Sequence, residues 1–252
     1  MVQAVDRAVQ ILALCADEPS DVASLAATLD VHRTTALRII QSLESGGLLK
    51  RDPHHRFSIG YGLRALVARS ADDSDLRTIV HPHLLELAED TGFAVHCAVP
   101  FEDLIVSLDI VEPPYSLRLP VRIGASVVLH TAGVAKAILA YVESREVDKI
   151  LDNATWETYT ERTITDRKRM YEALEKVRLR GWAYDDGEYE DLSNCIAAPF
   201  FDHSGQVQGA FSLTSFKAQT PLAELEHFVP RLKREMAALS QGLGHVPPTL
   251  SD

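Results

Sequence analysis

Cysteine is scarce in this chain. Cys15, Cys97 and Cys195 are the only cysteines in 252 residues. They are too few and too scattered for a disulfide framework or a zinc motif, so no metal or other cofactor is expected and a reducing cytoplasm is the natural compartment. Long apolar runs are missing as well: none approaches the roughly 20 residues that span a bilayer. The opening Met1-Val2-Gln3-Ala4-Val5-Asp6-Arg7 has neither the basic lead nor the apolar stretch of a secretory signal, so no membrane partner is expected. Positive charge is outnumbered, 25 Lys and Arg against 36 Asp and Glu, for a net charge of −11. That balance looks wrong for a DNA binder, but the charge is unevenly spread. Between His32 and Arg56 five Arg or Lys stand against only Glu44 and Asp52, and an acidic remainder suppresses nonspecific binding and confines contact to one patch. Internal repeats and low-complexity tracts are absent too.

What is present begins with Ser20 to Ile59, SDVASLAATLDVHRTTALRIIQSLESGGLLKRDPHHRFSI. Leu25, Ala26 and Leu29 follow a Ser20-Asp21 start signal at helical spacing and predict a short helix, then a turn through Leu29-Asp30-Val31. A second helix puts Ala36, Ile39, Ile40 and Leu43 on one face, leaving Arg33, Thr34, Leu37, Arg38 and Gln41 on the other. Gly46 and Gly47 end it. Leu48 to Arg51 and Arg56 to Ile59 read as two strands joined by Asp52-Pro53-His54-His55. This is the outline of a winged helix-turn-helix. Its second helix suits the major groove, where Arg reads guanine and Leu37 meets a thymine methyl. The DNA-contact set is Arg33, Thr34, Thr35, Leu37, Arg38 and Gln41 on that helix, with Lys50, Arg51 and Arg56 on the wing for phosphates.

At 252 residues the chain has room for a second domain with its own core. Upstream of the module, Val5, Val9 and Leu12, with Ile11 and Leu14, predict an amphipathic helix that closes the module's core or presents a dimer face. Downstream, Gly60 to Arg69 reads as a connecting helix, and the acidic Ser70-Ala71-Asp72-Asp73-Ser74-Asp75 marks the boundary. Beyond it, Leu84, Leu85, Leu87 and Ala88 predict a helix ending at Gly92. Strands follow at Phe93 to Val99 and at Leu104 to Val111. A helical middle lies within Val127 to Tyr141 and a helix runs from Asp166 to Arg180, stopped by Gly181. Strands at Cys195 to Phe201 and Val207 to Ser215 flank the turn Asp202-His203-Ser204-Gly205, and one last helix runs from Leu222 to Leu243. The expected class is α+β in two domains, the second an antiparallel sheet covered by helices. The boundaries are 1–59 for the winged helix, 60–75 for the linker helix, 76–245 for the second domain and 246–252 for a flexible tail.

Enzymatic readings fare worse. Cys195 opens the apolar Ile196-Ala197-Ala198, where cysteine serves as a small hydrophobe, and no base or oxyanion donor can be assigned by spacing. His81, His83, His96, Cys97 and His130 match no zinc spacing, and His81-Pro82-His83 reads as a helix start. Glu188, Glu190 and Asp191 read as a solvated loop face.

Four segments give the chain a family resemblance: HRTTALRIIQSLESGGLL, the central LHTAGVAKAILA, Arg162 to Asp166, and GWAYDDGEYEDLSNCIAAPFFD. In that order and spacing they resemble IclR-type transcriptional regulators over nearly the whole chain. The resemblance implies a winged helix, a linker helix and a GAF-like effector-binding domain. It also implies a homodimer or dimer of dimers on operator DNA, and a small organic acid or aromatic metabolite as effector. The implied effector pocket uses Leu129, His130, Gly133 and Ala135 with Asp185, Cys195, Ser212 and Thr214. Ser212 and Thr214, two apart on one strand, face the same side. Ala135 stands where the family usually has Gly, adding a methyl that narrows the pocket, and Asp30 also replaces a common Gly, at a turn whose left-handed backbone Asp tolerates. A reading from another class is a small-molecule sensor or enzyme that keeps its winged helix for protein interaction.

Overall fold

The computed structural model describes residues 3–70 and 76–246, which fall into two units, one on either side of residues 71–75. The acidic boundary segment from Ala71 to Asp75 and the tail beyond Val246 therefore lie outside the described residues.

The first unit runs α1 (Gln3–Asp17), α2 (Val22–Thr28), α3 (Arg33–Ser45), β1 (Leu49–Arg51), β2 (Phe57–Ile59) and α4 (Tyr61–Ser70). Asp21 caps α2, its Oδ1 accepting the N–H groups of Ala23 and Ser24 at 2.8 Å each. Asp30 takes the left-handed φ of 49° at this turn, a conformation that its short carboxylate side chain tolerates better than most. The core joins Ile11 and Cys15 of α1 to Leu25, Ala36, Ile40 and Phe57. Val5 and Val9 do not enter it, being 58% and 60% exposed. The buried stripe of α1 is rotated toward Ile11 and Cys15, with Leu12 and Leu14 at its margin.

Of the two glycines that end α3, only Gly47 is left-handed, with φ at 70°, while Gly46 stays at −79°. Gly60 and Gly62 matter for another reason. A Cβ on Gly60 would lie 2.2 Å from the Gly47 carbonyl oxygen and one on Gly62 at 2.7 Å. The start of α4 thus crosses the α3–β1 turn backbone to backbone. Ser20 adds a bridge to the wing, exchanging two backbone hydrogen bonds with Phe57 at 3.0 and 2.8 Å. A single-residue bridge leaves no periodicity to read.

The second unit runs α5 (Leu76–Thr91), β3 (Ala94–Phe101), β4 (Leu104–Val111), α6 (Gly133–Leu139), α7 (Ser144–Leu151), α8 (Arg167–Arg180), β5 (Ala183–Asp185), β6 (Ser193–Phe201), β7 (Val207–Phe216), α9 (Leu222–Leu225), a 3₁₀ turn (Glu226–Phe228) and α10 (Val229–Gly242). The sheet is antiparallel throughout, in the order β4-β3-β7-β6-β5. Val95, Cys97, Ile196 and Leu213 pack on α5 and α10, whereas Ala98, Ala183, Ala197 and Ala210 pack on α6 and α8. Small residues on that second face let α6 lie close to the sheet, and every residue of α6 is buried.

Two expectations need correction. Pro82 does not start a helix: α5 begins six residues earlier, at Leu76. Proline removes one intrahelical hydrogen bond, but Val80, Leu84, Leu87 and Ala88 are buried on both sides of it, and that packing holds the turn. The last helix is not continuous, because Pro230 lies in the first turn of α10 and the chain before it tightens to 3₁₀. The strand β5 and the helix α7 carry no expectation at all. Three residues are too few for an alternation, and α7 hides a clear stripe of Val147, Ile150 and Leu151.

Candidate functional site

In the first unit α3 presents the expected face. Arg33, Thr34, Leu37, Arg38 and Gln41 are exposed, while Thr35 is half-buried at its edge. His32 caps the helix: its Nδ1 accepts the Thr34 N–H at 3.4 Å and lies 2.9 Å from the Thr34 hydroxyl. The first turn of α3 is thereby fixed, and neither Arg33 nor Arg38 takes part in the cap. On the wing, Lys50 and Arg51 are exposed and rest over the rings of Tyr61 and Phe57, at 5.6 and 5.7 Å. Arg56 is less free. Its Nε donates to Asp52 Oδ2 at 3.3 Å, and the backbone N–H of Arg56, ahead of its side chain, holds the Asp52 carboxyl below its ordinary range. The pair shapes the wing's turn, since Asp52 Oδ1 also accepts the His54 N–H at 2.9 Å.

In the second unit a cavity of about 310 Å³ opens on the sheet face that carries α6. Register explains its polar wall. Asp185 of β5 pairs with Cys195 of β6, and Cys195 with Thr214 of β7. One pleat away, Ser212 pairs with His96 of β3. His96 Nε2 lies 3.0 Å from the Ser107 hydroxyl on β4. A strand's period of two brings all of these to one side. Residues 124–127 run along β4, bonded to Ile105 and Ser107, and bring Val127 and, just before them, Arg122 to the lining. Gly133 completes it at the start of α6, where a Cβ would stand 2.7 Å from Cys195 Sγ.

Of the expected pocket residues, Gly133, Asp185, Cys195, Ser212 and Thr214 line this cavity, and Leu129, His130 and Ala135 do not. Leu129 and His130 lie in the turn before α6, and Ala135 lies buried within it. Leu129 and Ala135 join the core beneath α6, so the Ala135 methyl does not narrow the cavity. His130 is wholly buried, with Nε2 donating to the Glu157 carbonyl at 2.9 Å and its ring near Trp156 and Tyr159. It anchors the segment after α7. His96, Ser107, Arg122 and Asn194 also line the cavity; the sequence raises His96 only as a metal ligand and gives the other three no pocket role. Among the described residues no histidine, cysteine and carboxylate cluster suits a metal; His81 meets Asp109 at 2.7 Å, and His83 meets Glu235.

Burial keeps two titratable groups of the wall uncharged. His96 is pushed down to about 4 and the Cys195 thiol up to about 12, so both are neutral at pH 7. Desolvation also raises Asp185, opposed by Lys136 and by the Glu188 N–H, which donates to Asp185 Oδ1 at 2.6 Å. That direction lessens its repulsion of an anion. Glu188 itself is no solvated loop residue. It is 6% exposed and pairs with Lys136, 3% exposed, at 2.5 Å, and burial raises it to about 7. Thr160 and Thr163, the latter in the Arg162 to Asp166 run, hold this loop by donating to the carbonyls of Gly187 and Glu188 at 2.7 and 2.6 Å.

Comparison with known proteins covers both units. Residues 4–53 match the IclR helix-turn-helix domain, and residues 68–241 match the bacterial transcriptional regulator IclR C-terminal family. RhmR, an uncharacterized HTH-type transcriptional regulator of Escherichia coli K12, is 29% identical over 86% of this chain and 84% of its own. The crystal structure of Thermotoga maritima IclR superposes with a TM-score of 0.79 at 27% identity, covering 97% of this chain and all of that one. An IclR homologue from Microbacterium hydrocarbonoxydans, complexed with 4-hydroxybenzoate, shares the fold at 17% identity, with a TM-score of 0.79 over 95% and 98% of the two chains. A reading helix with a basic wing, followed by a helix-covered antiparallel sheet and matched by family over both parts, leads to one conclusion: the chain belongs to the IclR family of DNA-binding bacterial transcriptional regulators.

Proposed function

We propose that this regulator contacts operator DNA through α3 and the β1–β2 wing, and that a small organic acid or aromatic metabolite in the sheet-face cavity sets its affinity. In this reading residues 1–59 read DNA, 60–75 link, 76–245 sense the effector and 246–252 form a tail. The observation that carries it is the cross-strand row Asp185, Cys195, Thr214 with Ser212 and His96 beside it, opposite the start of α6. A cavity of about 310 Å³ with few convergent polar groups and walls such as Val127 and Val134 suits one small ring or acid. The hydroxyls of Ser212 and Thr214 offer hydrogen bonds to a carboxylate, and Arg122 brings a guanidinium to the wall. The 4-hydroxybenzoate held by the Microbacterium relative is a ligand of that class and supports the reading.

The regulator acts as a homodimer or dimer of dimers, because paired winged helices must match half-sites set by the DNA repeat. The exposed Val5 and Val9 of α1 leave an apolar strip for the second copy. Among the described residues no helix is long and apolar enough to cross a membrane, and the three free cysteines suit the cytoplasm. The effector works only through different affinities for the DNA-competent and incompetent arrangements, and no catalytic step is involved.

Gel-shift titration on the DNA upstream of its own gene, with a thermal-shift screen of hydroxybenzoates and short organic acids, tests this. Arg38→Ala should weaken operator binding at every salt concentration without unfolding the protein. Ser212→Ala with Thr214→Ala should abolish the ligand response and leave DNA binding intact. A normal response from that double variant to a confirmed ligand would place the pocket elsewhere.

A further inference from the structure

The helix α8 gathers cations along one stripe. Arg169, Lys176 and Arg180 share it with Glu172, at the three- and four-residue spacings that align side chains. The stripe lines a second cavity, of about 430 Å³, to which Lys136 and Arg162 bring two more cations and Asp186 and Glu188 two more carboxylates. Several of these groups are held in place. Arg180 Nε donates to the Trp182 carbonyl at 2.6 Å, and its guanidinium lies 4.3 and 4.5 Å from the rings of Trp182 and Tyr184. Asp186 is taken up by Lys217 at 3.0 Å and Arg162 at 3.8 Å. Lys136 is buried against Glu188, whose Oε2 is buried with no hydrogen-bond partner.

We propose that this cavity is a binding site for a small phosphate-bearing anion, distinct from the effector cavity. Five cations against three carboxylates leave a surplus of two positive charges in the lining, and of three once Glu188 is protonated, enough to balance the charge of about −1.5 to −2 on a phosphate monoester. Three of the cations are arginines, whose planar forks suit phosphate oxygens. The orphaned Glu188 oxygen fits the same ligand: once protonated, Oε2–H donates to a phosphate oxygen, and Lys136 turns from the carboxyl to the anion. Occupancy is felt in the effector cavity, because the Glu188 N–H donates to Asp185 Oδ1 and Asp185 lines that cavity.

The test is calorimetric titration of the full chain with methyl phosphate at constant ionic strength, without DNA or effector, so it does not depend on the regulatory reading. Saturable binding of one anion per chain is expected. Arg169→Ala with Lys176→Ala, both exposed positions, should weaken it about tenfold or more, the scale of losing charge-assisted hydrogen bonds, with an unchanged melting temperature. Glu188→Gln keeps a donor and removes a charge, so it should tighten binding several-fold. Ser212→Ala with Thr214→Ala should leave it unaltered. No saturable binding at millimolar methyl phosphate, equal affinity in the Arg169 and Lys176 double variant, or loss in the Ser212 and Thr214 double variant would overturn the proposal.

Discussion

The reading face of α3 and the cavity of the second unit are built in opposite ways. On α3 the proposed contact residues, within Arg33 to Gln41, come from one short stretch, and the core beneath them is made by other residues, Ala36, Ile40 and Leu43. In the cavity His96, Ser107 and Ser212 are 5%, 2% and 3% exposed and come from three strands. They are polar site residues and core residues at once. A site carried on a surface face can change its chemistry without disturbing the fold, whereas one set into a packed sheet couples every change of ligand preference to stability.

That contrast breaks first, if anywhere, at Lys136. Lys136→Met leaves Glu188 as a buried acid without its cation, and the second unit should lose about 3–5 kcal/mol above pH 7. Urea unfolding, followed separately for the two units because two-state behaviour is not guaranteed for both together, checks this. A loss below about 1 kcal/mol would mean that the pair is not part of the core. Lys136→Met with Glu188→Leu should recover most of the loss.

Glu188→Gln should sharpen the same point through pH. The folded Glu188 titrates near 7, above its ordinary 4.5, so the folded state holds a proton that the unfolded chain has released. Its favourable contribution is complete below about pH 4.5 and is lost as pH rises through 7. The variant should therefore gain on the parent across that window, by about 1–3 kcal/mol, after allowing for the coupling to Lys136. A difference that stays flat with pH would show that Glu188 is not held out of water.

Gly133→Ala comes next, at about 1–3 kcal/mol, because its Cβ would stand 2.7 Å from Cys195 Sγ. Pairing it with Cys195→Ala removes the sulfur and should return most of that stability. If the pair is no more stable than Gly133→Ala alone, the cavity wall yields elsewhere.

The two sites also differed in how far they could be read from the residues. The α3 face follows from one helical period, and the identity of its exposed residues needs nothing beyond the chain within it. Ser212 and Thr214 are legible as neighbours on one face for the same local reason. That His96 stands beside Ser212 is not, because it depends on β3 pairing with β7 across more than a hundred residues of chain. Glu188 misled for a related reason: an acidic run reads as solvated, and only the packing of β5 and its loop against α6 buries it over Lys136. Leu129, His130 and Ala135 enter the pocket set only through the family resemblance; no local period tells which side chains around the start of α6 face the cavity, and it is Gly133 and Val134 that line it while Leu129 and Ala135 join the core.

The smallest effect on folding is expected at Leu37, and it tests the surface half of the contrast most directly. Its side chain is apolar, yet 38% exposed on the reading face. Leu37→Ala should change the stability of the first unit by less than about 0.5 kcal/mol. It should still cost about 1 kcal/mol of operator binding, or roughly fivefold, if the side chain meets a thymine methyl. Because no charge is lost, the salt dependence of binding should keep its slope, while Lys50→Ala should lower that slope by about one. Competition gel shifts at several salt concentrations separate the two variants. A stability loss above about 1 kcal/mol for Leu37→Ala would show that the reading helix uses Leu37 as core, so that recognition in the first unit is as tied to packing as the cavity in the second.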